Sequence, residues 1–220
     1  NGVKYIVIGQ SFRTEGISPL PWNYLDGHYL QAVHKRFGSV KLRPWQASDP
    51  GFNLRARHLA YYSLCRGIRT ITPLYYTDYV RMEVDEILKR ELDWEYPGAH
   101  YFDDLYQSLM SYVYRTKFGI ERRRFNYSAL VRSGQMSREH ALDSLSEPYA
   151  LEDEKVIGLC IKRLGITREE FDSYMQLPPK TFKDYPSDYT LIRMLRPVIY
   201  GLSSVGILPK VTYEKYFHCG

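Results

Sequence analysis

Cysteine is scarce in this sequence, and no site is built from it. The three cysteines, Cys65, Cys160 and Cys219, form no CxxC pair and have no histidine at metal-ligand spacing. That argues against a structural zinc site and for a reducing compartment. No apolar run reaches membrane-spanning length and no signal peptide is present, so we expect a cytoplasmic location. Catalytic signatures are missing too. There is no glycine-rich phosphate loop or Walker motif, no GxSxG elbow and no recognisable Cys–His pair. The six histidines are scattered, and Asp103-Asp104 reads as a helix cap before a metal pair. We expect no protein-built metal site.

What remains is an ordinary amount of apolar sequence with an excess of tyrosine, 21 in 220 residues. That length supports one core, or a core with a smaller appendage. A net charge of +5 suits anionic small molecules and is too weak to imply nucleic acid by itself.

The opening stretch organises the rest. Val3 to Ile8 is β-branched and ends at Gly9, the pattern of a central parallel strand covered on both faces. A second strand is expected over Ile68–Tyr75, ending near Pro73 because proline cannot complete a ladder. Helices are expected at His28–Phe37, Leu54–Leu64 and from a Thr77-Asp78 cap through Arg90, with Val80, Val84, Ile87 and Leu88 buried. Strand, loop and helix recur in order, so residues 1–92 read as α/β. No convincing strand follows Glu91. A helix ending at Phe118 carries Leu105, Leu109, Tyr112 and Val113 on its inner face. Another follows Ser137, a third runs from Asp153 to Leu164, and a fourth opens with a Thr167–Glu170 capping box. A helix near Tyr189–Met194 is expected to break at Pro197, and the tail from Gly206 reads as loop. Residues 93–220 are thus a mainly helical region packed on the α/β part. A parallel strand needs neighbours, and the chain enters one within two residues of Asn1. We therefore read the sequence as a fragment whose N-terminal part is missing.

Four polar clusters are candidate sites. The first is the loop after the first strand, Gly9, Gln10, Ser11, Arg13, Thr14, Glu15 and Gly16. The second is the end of the second strand, with Thr70, Thr72, Tyr75 and Tyr76. Ligands of open α/β sheets bind beyond the carboxyl ends of strands, so these two clusters can face one ligand. The third is Arg115, Lys117, Arg122, Arg123 and Arg124, whose guanidinium forks suit phosphates and carboxylates; the alternative is a solvated helix end. The fourth is Asn126–Gln135, with a tight turn at Ser133-Gly134-Gln135, either a substrate loop or a helix connection.

Three segments together resemble the N-acetyl sugar amidotransferases of the PP-loop (ATP-pyrophosphatase) superfamily. They are Gly9-Gln10-Ser11-Phe12-Arg13-Thr14-Glu15-Gly16 with Ile17-Ser18-Pro19-Leu20, the strand end Ile71-Thr72-Pro73-Leu74-Tyr75-Tyr76, and Phe125 to Glu139 (FNYSALVRSGQMSRE). The resemblance covers nearly the whole chain, and the last segment is its most specific part. It implies part of an adenine-nucleotide-alpha-hydrolase-like parallel sheet with a C-terminal helical appendage. The family's first strand and SGGxDS phosphate loop are absent here. The implied reaction uses ATP and Mg²⁺ to adenylate the amide oxygen of a nucleotide-linked acetamido sugar. Ammonia then displaces AMP to leave an acetamidino group. The ammonia comes from separate glutaminase and cyclase-like subunits, and the products go into O-antigen-type surface polysaccharide. On this reading Arg13 and Ser11 support the developing charge. Gly9, Gln10, Thr14, Glu15, Gly16, Thr72, Tyr75, Tyr76, Arg122, Arg123, Arg124, Ser133 and Gln135 line the ATP or sugar-nucleotide site. A PP-loop enzyme acting on tRNA and a non-catalytic helical binding module are the rival readings.

Overall fold

The computed structural model describes residues 2–42, 55–94, 105–147 and 153–218. In chain order these form β1 (Tyr5–Val7), α1 (Leu20–Asn23), α2 (Gly27–Phe37), α3 (Ala56–Ala60) running into a π-helical turn at Tyr61–Cys65, and β2 (Arg69–Ile71). There follow α4 (Arg81–Leu92), α5 (Leu105–Phe118), α6 (Arg122–Arg132), α7 (Arg138–Ser146), α8 (Glu154–Arg163), α9 (Arg168–Gln176), α10 (Tyr189–Met194), α11 (Arg196–Ser204) and α12 (Lys210–Phe217). The chain divides into two compact units. One comprises Asn1–Gln10, Ile17–Tyr76 and Lys180–Gly220; the other comprises Ser11–Gly16 and Thr77–Pro179. Each unit takes residues from both sides of position 92.

The first unit holds the sheet. β1 and β2 pair in parallel, with Tyr5 opposite Arg69 and Val7 opposite Ile71. The ladder continues one step as Ile8 N–H donates to the Ile71 carbonyl. Pro73 then turns the chain into a 3₁₀ turn, Pro73–Tyr75. The expected covered strand is not what forms. Tyr5 is 63% exposed and Val7 66%, because a two-stranded sheet has no layer over these residues among the described ones. The α/β pattern is therefore confined to a small parallel sheet in a mostly helical chain. Apolar burial in this unit comes from Leu20, Tyr24 and Phe182 instead. The Tyr24 and Phe182 rings stack with centroids 4.1 Å apart. Asp26 caps α2 by accepting from Tyr29 N–H at 2.7 Å. Pro197 stands in the first turn of α11, just past the break at Leu195, as its lack of an N–H requires. The tail from Gly206, expected as loop, includes a helix, α12, on which Tyr213, Tyr216 and Phe217 share a face at i, i+3 and i+4.

The second unit is helical. Leu109 of α5, Ile157, Cys160 and Ile161 of α8 and Phe171 of α9 form its core. Cys160 is plain core, its Sγ against the Leu105 carbonyl. Asp153, Thr167 and Ser137 each accept a first-turn backbone N–H, and Thr167 and Glu170 form the capping box. Two expectations change. Asp78 does not cap α4, which starts at Arg81 after Val80 with no side-chain cap. Val84 and Leu88 of its stripe are half-buried, while Ile87 is 46% exposed. The polar stretch after Glu121 is helix α6. It has no apolar stripe, and what it buries is Arg123, Ala129 and Leu130, so hydrophobic periodicity could not show it. The expected Asp103 or Asp104 cap, the expected stop of the helix after Ser137 at Pro148, and Cys219 lie outside the described residues.

Candidate functional site

Of the predicted residues, Ser11, Arg13, Thr14, Glu15, Gly16, Ser133 and Gln135 lie in the helical unit, where the segment Ser11–Gly16 packs. Arg13 is held by its backbone at both ends. Its N–H donates to Ser11 Oγ at 3.2 Å, and its carbonyl accepts from Ser133 Oγ at 2.8 Å. Ser11, buried to 1% exposure, has its hydroxyl committed to shaping this loop, as does the Glu15 N–H bond to the Ser11 carbonyl. Gly16 has φ +66°, and a Cβ there would meet Ala129, Phe125 and the Arg132 guanidinium at 3.4–3.5 Å. Thr14 is buried. The loop is thus seated on α6, while the Arg13 side chain reaches outward to Asp78 at 2.6 Å. Asp78 is 88% exposed, so the pair is weak in water.

Gln135 closes the other side. Its Oε1 accepts from the Arg81 N–H at 2.9 Å, which serves an orphan donor at the start of α4. Its Nε2 donates to the Tyr79 carbonyl at 3.1 Å and to Ser133 Oγ at 3.2 Å. Burial pushes the Tyr79 phenol up; Asp85 and Glu15 add to this and Arg81 opposes it. Ser133 and Gln135 are accordingly joints of the loop. Asp78 and Tyr79 were not singled out from sequence. Their only signal was the Thr77-Asp78 pair, which looks like a cap.

The other predicted residues are placed as follows. In the first unit, the Tyr75 hydroxyl donates to Gln10 Oε1 at 3.2 Å, so the two strand ends do meet. Thr72 is buried and Tyr76 is 85% exposed; Gly9 has open space around its Cα. The three consecutive arginines part ways, since neighbours on a helix point about 100° apart. Arg122 reaches Gln107 at 2.8 Å and lies over the Tyr114 ring. Arg123 is buried, forked onto Glu121 and donating to the carbonyls of Ser144, Leu145 and Glu147. It ties the end of α7 to the start of α6. Burial alone would raise the Glu121 carboxyl, but hydrogen bonds from Arg123 outweigh it and hold Glu121 below the usual carboxylate range. Arg124 lines a cleft of about 680 Å³ between α6 and α7. Lys117 donates to the Tyr174 carbonyl. Among the described residues no three His, Cys, Asp or Glu side chains converge as a metal site. No helix among them is long and apolar enough to cross a membrane.

Residues 75–197 match the family described as LPS biosynthesis protein WbpG-like, C-terminal domain. The chain belongs to this WbpG-like family. The match covers more than half of the chain and takes in Asp78, Tyr79, Arg81, α6, the Ser133–Gln135 turn and the α6–α7 cleft. Membership places the chain in LPS biosynthesis. Comparisons with curated proteins and with solved structures give no match.

Proposed function

We propose that the WbpG-like chain is part of an ATP-dependent amidotransferase that converts an acetamido group of a nucleotide-linked sugar to acetamidino. The observation carrying this reading is the double anchoring of Arg13. Its N–H and carbonyl are both tied down while its guanidinium, 41% exposed, reaches an exposed carboxylate, Asp78. Fixing a backbone on both sides of a cation presents that cation at a defined place, which is what stabilising a developing phosphate charge requires. The anchor Ser133 lies in the most specific of the resembling segments, and the family's assignment to LPS biosynthesis supports a polysaccharide precursor as substrate.

On this reading Arg13 holds the ATP phosphates, Ser11 shapes the loop and Glu15 and Thr14 complete it. Mg²⁺, carried on the triphosphate, supplies charge neutralisation there. Adenylation of the amide oxygen makes AMP the leaving group for ammonia, which a glutaminase and a cyclase-like partner deliver. The complete enzyme should release pyrophosphate from ATP only when both an acetamido sugar nucleotide and an ammonia source are present. Arg13→Ala should lower amidine formation about 100-fold or more with the melting temperature unchanged. Unimpaired Arg13→Ala activity would remove Arg13 from the mechanism; absence of sugar-dependent pyrophosphate release would remove the amidotransferase reading.

A further inference from the structure

The cleft between α6 and α7 is built from one face of each helix. On α6, Arg124, Val131 and Arg132 follow at i, i+7 and i+8; on α7, Arg138, Leu142 and Leu145 follow at i, i+4 and i+7. These spacings put each set on a single stripe. The helices run antiparallel, since Arg123 at the start of α6 bonds carbonyls at the end of α7. Arg132 and Arg138 therefore stand at the same end of the cleft, either side of the Ser133–Ser137 connection. Arg124 stands at the other end, about 12 Å away along α6.

Among the described residues three cations line this cleft and no carboxylate does. Among the described residues none of the three forms an ion pair. Arg132 uses its Nε on the Ser128 carbonyl, which steadies the guanidinium. The floor between the charged ends is apolar, and Leu142 is left 53% exposed there. Arg123 is used structurally, on Glu121 and on carbonyls at the end of α7; among the described residues Arg124 and Arg138 have no such acid, and Arg132 commits its Nε to the Ser128 carbonyl with both terminal nitrogens left for a ligand. An apolar strip held open between unpaired guanidinium groups has the chemistry of a ligand site instead. Two forks at one end match a group bearing more than one negative charge. The apolar middle matches a ring.

We propose that this cleft binds a diphosphate joined to a sugar ring, the diphosphate held by Arg132 and Arg138, the ring over Leu142 and Leu145, and a further polar or negative group facing Arg124. The proposal deepens the amidotransferase reading and rests on it for the identity of the ligand as a nucleotide-linked sugar.

The test is calorimetric titration of the full chain with UDP-N-acetylglucosamine and, separately, with pyrophosphate, in the absence of ATP. Both should bind, the nucleotide sugar more tightly, with affinity falling as salt rises. Arg138→Gln and Arg124→Gln should each weaken the nucleotide sugar about tenfold, one cation's share of such a contact. Leu142→Glu, at an exposed position, should abolish its binding with the thermal unfolding unchanged. Failure of both probes to bind, or binding unaltered in Arg138→Gln and Arg124→Gln, would overturn the proposal. Pyrophosphate binding as tightly as the nucleotide sugar would overturn the ring-binding part. Amidine formation is not read in this titration. Loss of binding in the variants, together with no sugar-dependent pyrophosphate release by the complete enzyme, would uphold the cleft and sink the amidotransferase reading. The opposite pattern, full activity with binding indifferent to both arginines, would sink the cleft alone.

Discussion

Ser133 Oγ donates to the backbone carbonyl of Arg13 at 2.8 Å, joining residues 120 positions apart in the chain. Ser133 also bonds the Leu130 carbonyl and receives a hydrogen bond from Gln135. A single turn after α6 therefore fixes the loop that presents Arg13.

Gln135 should matter more to stability than its partial burial suggests. Truncating it removes the bonds it makes to the Arg81 N–H and the Tyr79 carbonyl. Gln135→Ala should cost about 2 kcal/mol, read by chemical denaturation. Ser133→Ala, which loses the tie to Arg13, should cost about 1 kcal/mol and make the Ser11–Gly16 segment more open to proteolysis. Unchanged proteolysis in Ser133→Ala would count against the anchoring role.

The arginine run offers an internal control. Arg123 is buried and bonded to Glu121 and three carbonyls; Arg124 is exposed. Removing one partner of a buried pair leaves an uncompensated charge. Arg123→Ala should therefore destabilise by about 3 kcal/mol, and Arg124→Ala by about 0.5 kcal/mol or less. Equal effects would contradict this division of labour.

Acid stability should carry the Glu121 signature. Its folded-state pKa is lowered: burial works against this, but the Arg123 bonds prevail. The stabilisation is therefore present above the unfolded-state value, about 4.3, and is lost as pH falls through the lower folded value. Glu121→Gln should be less stable than the parent at pH 7. The gap should narrow as pH drops below about 4. A gap independent of pH would argue against an ionised Glu121 in the folded state.

Gly16 should resist substitution for two reasons acting together. Its φ of +66° is strained for any L side chain, and the space a Cβ would take is bounded by Ala129, Phe125 and Arg132. Gly16→Ala should cost about 1–2 kcal/mol. Gly134, also at positive φ but with open space around it, should lose only the conformational part. Comparing the two alanine variants by thermal unfolding separates backbone strain from crowding.

A polar knot in the first unit gives a further check. Asp188 accepts from the Ala56 N–H at 3.1 Å and lies 3.1 Å from His28 Nδ1, while its own N–H donates to Asp26 at 2.9 Å. The Asp26 carboxylate also takes the Tyr24 hydroxyl. Asp188→Ala strips a buried carboxylate from two donors and should cost about 2–3 kcal/mol. His28→Ala should cost less, since His28 is half-buried.

What the chain by itself determined is local. Caps such as Asp26, Asp153 and Thr167, the glycine stops at 67, 119 and 165, and the apolar stripe of α8 depend on residues within one or two turns. They stand where their chemistry puts them. The resemblance in Phe125–Glu139 was likewise readable, and the family match over residues 75–197 agrees with it at the level of LPS biosynthesis. Tertiary structure alone decided the rest. It decided that Asp78 pairs with Arg13 and does not cap α4, and that β1 stands uncovered among the described residues. It also decided that Arg122, Arg123 and Arg124 do three different things, and that α6 is a helix though nothing in its pattern says so. The physical reason is common to all four. Each depends on which partner a polar group or an apolar face finds at long sequence separation. A hydrogen bond spanning 120 residues leaves no periodicity behind it.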